Sequence, residues 1–200
     1  MKLKYKKKLE ALLHRKSKGN VMLLVGLALP VLLSILFYIV SVFIVGEQAA
    51  TIKDKADFTN LSVYKDINQQ ELSKEGNITF EETDLNNALT TYTSYLKDNF
   101  KLDANLTIIS PNSYIVGTII INKIVIYKVK NGLTTEWDYN GSTGYFNKVW
   151  DSTSAKLTTP FPNNKLVSNT SIYSELIVPT KFPYVGTRNV KIVSYTDAVH

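Results

Sequence analysis

The chain has no cysteine and only two histidines in 200 residues. Without cysteine there is no thiolate nucleophile, no disulfide and no cysteine metal site. His14 lies in a basic N-terminal stretch and His200 is the last residue, so neither is placed to serve a catalytic triad in the bulk of the chain. No His-Glu-x-x-His, P-loop or dinucleotide-binding motif occurs. The Leu-Pro-x-Thr-Gly signal for attachment to a cell wall is missing as well. These absences argue against an enzyme and lead to an expectation of no cofactor and no metal. Arginine is scarce, with Arg15 and Arg188 the only two among 23 basic residues, a lysine bias that fits an AT-rich genome. Together with the missing cysteine it is a composition that exported Gram-positive proteins often have.

Charge is absent altogether from Val21 to Val45, a run of Leu, Val and Ile broken by few other residues. As a helix at about 1.5 Å per residue this run is about 37 Å long. It therefore crosses a hydrocarbon core of about 30 Å with some tilt. Backbone polar groups in lipid must pair within the segment, which requires the helix. The run exceeds the apolar part of a cleaved secretory signal, about 7–15 residues, and Gly46-Glu47-Gln48-Ala49-Ala50 is a poor cleavage site.

What charge there is lies unevenly. Residues 1–18 carry Lys2, Lys4, Lys6, Lys7, Lys8, Arg15, Lys16 and Lys18 against Glu10 alone, a balance of +7 in a chain of +6, which leaves −1 for the remainder. The basic character belongs to one tail, and no nucleic-acid partner is expected. Positive charge ahead of the apolar run places the N-terminus in the cytoplasm and the rest of the chain outside. The tail lysines meet membrane lipid, each near an anionic leaflet adding about 1 kcal/mol. Tyr5, Leu9, Leu12 and Leu13 share one helical face, which reads either as a helix lying on the membrane or a partner, or as a frayed tail.

The membrane entrance reads Arg15-Lys16-Ser17-Lys18-Gly19-Asn20-Val21, and the apolar run continues Gly26-Leu27-Ala28-Leu29-Pro30-Val31-Leu32-Leu33. A basic stretch ending in Gly before an apolar helix resembles a prepilin signal. The Ala-Leu-Pro-Val-Leu-Leu run resembles the N-terminal region of TadE/TadG-like minor pilins of the Tad (Flp) tight-adherence pilus. The resemblance implies a prepilin peptidase that cuts between Gly19 and Asn20. It also implies a helix, kinked at Pro30 near Gly26, that packs against other pilin-like or assembly-machinery subunits. In that family a glutamate usually stands five residues after the cut, where this chain has Leu24.

Beyond the membrane the spacing of Ala49, Ile52 and Ala56 continues a helix to about Asn60, and polar residues Asn68 to Asn77 read as a loop. Thr79-Phe80-Glu81-Glu82 fits a capping box, followed by Leu85, Ala88, Leu89, Tyr92, Leu96 and Phe100 at helical spacing. Glu81, Glu82 and Asp84 then complement the helix dipole. Strands are expected at 106–110, 117–130, 133–139, 144–150, 171–178 and 190–195, with turns at Pro111-Asn112, Asn131-Gly132 and Asn140-Gly141 and a loop around Pro160 and Pro162. Thr170 to Pro179 is similar to a late strand of TadE-like proteins, more loosely than residues 19–33 are to their N-terminal region. Asp138 to Ser142 reads as a hairpin turn or the start of a calcium loop. Trp137, Tyr139, Tyr145, Phe146 and Trp150 read as core or as an exposed contact patch.

The expected organisation is a basic cytoplasmic tail (1–19), a transmembrane helix (20–46), a helical stalk and linker (47–78), and an extracellular α+β domain (79–200) with one helix on an antiparallel sheet. The expected function is a non-enzymatic pilin-like component of a Tad-type pilus or related surface apparatus. The alternative is a bitopic scaffold subunit of a conjugation or secretion channel, a family with the same tail, single span and outer helix-plus-sheet domain.

Overall fold

The structure is a computed structural model describing residues 2–111, 113–141, 143–152, 166–183 and 186–198, with side chains for all of these except 2–20, 150 and 152. Asn112, Ser142, the loop at Pro160 and Pro162, His200 and the basic side chains of the tail thus lie outside the described residues. The chain divides into two units, Met1–Gly46 and Glu47–His200.

The first unit is helical throughout its described length, part of α1 (Lys2–Ser62). It is helical even across the β-branched run Ile39-Val40-Ser41-Val42-Phe43-Ile44-Val45, and Pro30 sits within the helical run without ending it.

The second unit is built on a five-stranded sheet in the order β3-β2-β1-β4-β5, every neighbouring pair antiparallel. The strands are β1 (Ile120–Lys130), β2 (Leu133–Asn140), β3 (Tyr145–Ser152), β4 (Ser171–Phe182) and β5 (Gly186–Asp197). Asn131 and Gly132 both take positive φ, 50° and 77°, the conformation a two-residue hairpin of native twist requires. Pro179 lies inside β4, where a missing N–H could break the ladder. Its carbonyl accepts from Val116 N at 2.8 Å, so its nitrogen faces the 114–116 segment and the pairing with β5 loses nothing.

One face of the sheet, called inner here, carries Ile124, Ile126, Ile172, Leu176 and Ile192 into the core. Against it α3 (Leu85–Phe100) buries Leu85, Ala88, Tyr92, Leu96 and Phe100, spaced as the sequence predicts. Residues 47–62 of α1, expected as stalk, contribute Ile52 and Ala56 to the same core, both fully buried.

The contact of α1 with β4 and β5 is polar. The Asn60 amide donates to Ser194 Oγ at 2.8 Å and accepts from Ser174 Oγ at 2.8 Å. Ser194 Oγ donates to Asp57 Oδ1 at 2.5 Å, and Tyr64 OH donates to the Thr196 carbonyl at 2.8 Å.

Three local expectations differ. The polar stretch 68–77 contains a helix, α2 (Gln69–Glu75). Asn68 Oδ1 caps it by accepting from Gln70 N and Glu71 N, and Gly76 closes it at φ 70°. The capping box at Thr79 does not form, because Thr79 Oγ1 bonds the Glu71 carboxylate, and a 3₁₀ turn (Glu82–Asp84) leads into α3 instead. Residues 106–110 make only isolated bridges, Leu102 with Ile108 and Thr107 with Thr118, since Leu106 at φ 60° interrupts any extended run.

Candidate functional site

In the first unit every large apolar side chain from Val21 to Phe43 is exposed, Leu24 at 69% and Phe43 at 71%. A helix that is apolar all round and covered by no protein is one long and apolar enough to cross a membrane. Its few small and polar residues are not scattered. At 100° per residue Gly26, Pro30, Ser34 and Ser41 fall within about 80° of one another. A Cβ on Gly26 would meet nothing within 4 Å, so this stripe is open.

Pro30 has no N–H, which leaves the Gly26 carbonyl without its donor four residues on. Ser34 Oγ donates to the Pro30 carbonyl at 2.7 Å and Ser41 Oγ to that of Phe37 at 2.8 Å, so both hydroxyls are satisfied inside the helix. Gly19 and Asn20 stand further up α1 on helical backbone, as do the basic residues of the tail from Lys2 to Lys18. The structure therefore gathers Gly26 and Pro30 on one face, and adds Ser34 and Ser41, which were legible by the same 3.6-residue spacing.

The second unit holds a polar cluster on the outer face of the sheet. Asp138 and Glu136 alternate onto this face of β2, opposite Val125 and Tyr127 of β1. Lys123 Nζ lies 3.1 Å from Asp138 Oδ2. Burial and the neighbouring Asp138 carboxylate push Glu136 up to about 7. Burial, with Glu136 and Asp138 adding repulsion, also raises Tyr127, whose hydroxyl has no hydrogen-bond partner among the described residues.

Two strands over, Glu175 is 5% exposed. Burial acts to raise it, but hydrogen bonds from Tyr173, Lys191 and Asn122 outweigh burial and hold the carboxyl below its ordinary range. Among the described residues no three acidic or histidine side chains gather to hold a metal.

Asp138 is engaged with Lys123 and Asn140 opens the β2–β3 hairpin, its carbonyl accepting from Gly144 N at 2.9 Å, so the 138–141 segment is strand and turn. The aromatic cluster divides: Phe146 is buried, Trp137 and Tyr139 are half-buried against the core, and Tyr145 is exposed. Of the first-turn acids, Glu81 accepts from Asn68 Nδ2 at 2.7 Å, tying the turn before α3 to α2. The Glu136–Asp138 pair was readable as two carboxylates two residues apart on a strand, but their shared environment depends on β1 lying beside them.

Comparison of the chain with models of protein families, with curated proteins and with solved structures finds no match.

Proposed function

We propose that the chain is a non-enzymatic, pilin-like subunit of a Tad-type or related surface apparatus, single-pass in the cell membrane with its N-terminus in the cytoplasm and residues 47–200 outside. The observation that carries this reading is the run from Arg15 to Leu33, in which a basic stretch, a Gly and an Ala-Leu-Pro-Val-Leu-Leu segment follow one another as in TadE/TadG-like proteins. The stripe of Gly26, Pro30, Ser34 and Ser41 supports it. Small residues let helices approach closely in lipid, where apolar side chains give no preference for protein over lipid tails. A donor from a neighbouring subunit would also satisfy the Gly26 carbonyl that Pro30 leaves open.

Leu24 stands where the family has a glutamate that pairs with a neighbour's new N-terminal amine. A subunit that assists assembly and keeps its basic tail does not need that carboxylate. Gly19 lies within α1, so a peptidase must first open the helix there, a step that Gly eases by about 1 kcal/mol relative to Ala.

The test is to express the chain with and without a prepilin peptidase and weigh the product. Loss of residues 1–19 only when the peptidase is present supports the reading. An intact N-terminus in both, together with failure to co-purify with pilus machinery, overturns it in favour of the channel scaffold.

A further inference from the structure

The inner face of the sheet is not apolar to its end. At β1 and β3 the inward positions 128, 130 and 148 are all lysine, where strand alternation beneath a helix calls for apolar side chains. These lysines border a cavity of about 350 Å³. That volume falls within the range of about 300–1,000 Å³ common to small-molecule sites.

The register explains how the cavity is framed. Lys128 sits opposite Thr135, which pairs on its other side with Asp151, while Trp137 lies between Ile126 and Lys148. Thr135, 8% exposed, forms the floor and the indole of Trp137 contributes an apolar flat wall. Two of the three ammonium groups are occupied. Lys130 is paired with Glu71, and Lys148 Nζ lies 2.7 Å from Asp151 Oδ2. Lys128 has no ion-pair partner among the described residues, and it lines the cavity as a half-buried residue. Glu71, Glu82 and Asp151 match the three ammoniums in number, but only Lys130 and Lys148 are held in ion pairs, so Lys128 is the lining cation an acidic group can engage.

A flat apolar wall, a hydroxyl floor and a single unpaired cation specify a ligand with three properties: a ring face that stacks on an aromatic, hydroxyls, and one acidic group. We infer that this cavity binds an acidic sugar, one carrying a carboxylate or a phosphate, with its ring against Trp137 and its acid on Lys128. The site is independent of the pilin-like reading, since no residue of α1 takes part.

The experiment uses the full chain in detergent micelles. A Trp150→Phe variant leaves Trp137 as the one indole, and its emission is followed during titration with glucuronic acid, glucose 6-phosphate, glucose and inorganic phosphate. Ligand-observed NMR on the unmodified chain repeats each titration without any substitution. Saturable binding of either acidic sugar, at least tenfold tighter than glucose and than inorganic phosphate, is expected, and the two acidic sugars distinguish a carboxylate from a phosphate preference. Lys128→Gln on an otherwise unchanged chain should lose at least tenfold in affinity for the preferred sugar with its thermal unfolding unaltered. No saturable binding of either acidic sugar, equal binding of glucose, equal binding of phosphate alone, or an unchanged affinity in Lys128→Gln would each overturn the assignment.

Discussion

The two halves of α1 obey opposite solvent rules. From Val21 to Phe43 all large apolar side chains face outward, and the two serines, Ser34 and Ser41, satisfy themselves on the helix's own carbonyls. From Glu47 to Ser62 the helix is amphipathic, with Ile52 and Ala56 buried and Asp57 and Asn60 bonded to strands more than 110 residues away in sequence. The first half fits a medium that supplies no hydrogen bonds, so it must be chemically uniform around its circumference. The second half fits a protein partner that supplies both apolar contact and specific donors and acceptors, so it must be faceted. One secondary structure thus serves two environments, and the side-chain pattern alone tells them apart.

The comparison is sharpened most by deleting one buried side chain in the domain and one exposed side chain in the span. Leu96→Ala removes a fully buried side chain from α3 and should destabilise the second unit by about 2–5 kcal/mol, read as a lower denaturation midpoint of the full chain in detergent. Leu33→Ala, in the span, should leave that midpoint where it was.

Next in size is a charge placed in the span. Leu33→Lys should cost about 2.5–3.5 kcal/mol of membrane insertion, seen as a smaller membrane-bound fraction after carbonate extraction. The same substitution at exposed Leu61, outside the apolar run, should leave the membrane fraction unchanged. If both behave alike, the distinction between the halves fails.

A third test addresses the polar seam. Asn60→Ala leaves Ser174 and Ser194 without their buried partner and should cost about 1–3 kcal/mol, whereas Ser34→Ala in the span should cost the domain nothing.

The smallest effect concerns pH. Glu136 is held above its ordinary 4.5, at about 7, so the folded state binds its proton more tightly than the unfolded chain. Its contribution is complete below pH 4.5 and is lost as pH rises through 7. The loss should be of order 1–2 kcal/mol once solvent screening of a half-exposed group is allowed for. Thermal unfolding from pH 4.5 to 7.5 should show the decline, and Glu136→Gln should flatten it.

Much of the fold was legible because its signals are local. The long apolar helix follows from 25 uncharged residues, α3 from Leu85, Ala88, Tyr92, Leu96 and Phe100, and the first hairpin from Asn131-Gly132 between strand-like runs. Ends were less legible where a local signal had a competitor. Thr79 can cap α3 or bond Glu71, and Asn68 looks like loop until its side chain is seen closing α2. Strands β4 and β5 run past Pro179 and back to Gly186, because a proline whose nitrogen points away from β5 does not stop pairing there.

By itself the sequence determined the apolar helix, its basic approach, the α+β class and most element positions, since each rests on periodicity or turn chemistry within some twenty residues. Tertiary structure alone decided that β4 lies beside β1, that Asn60 meets Ser174 and Ser194, and that Glu136 shares its surroundings with Asp138 and Tyr127. It alone brought Lys128, Lys148 and Trp137 to one cavity. The reason is that these pairings join positions distant in the chain. Their strength depends on burial and on hydrogen bonds that exist only once the sheet has closed, and no local pattern carries that information.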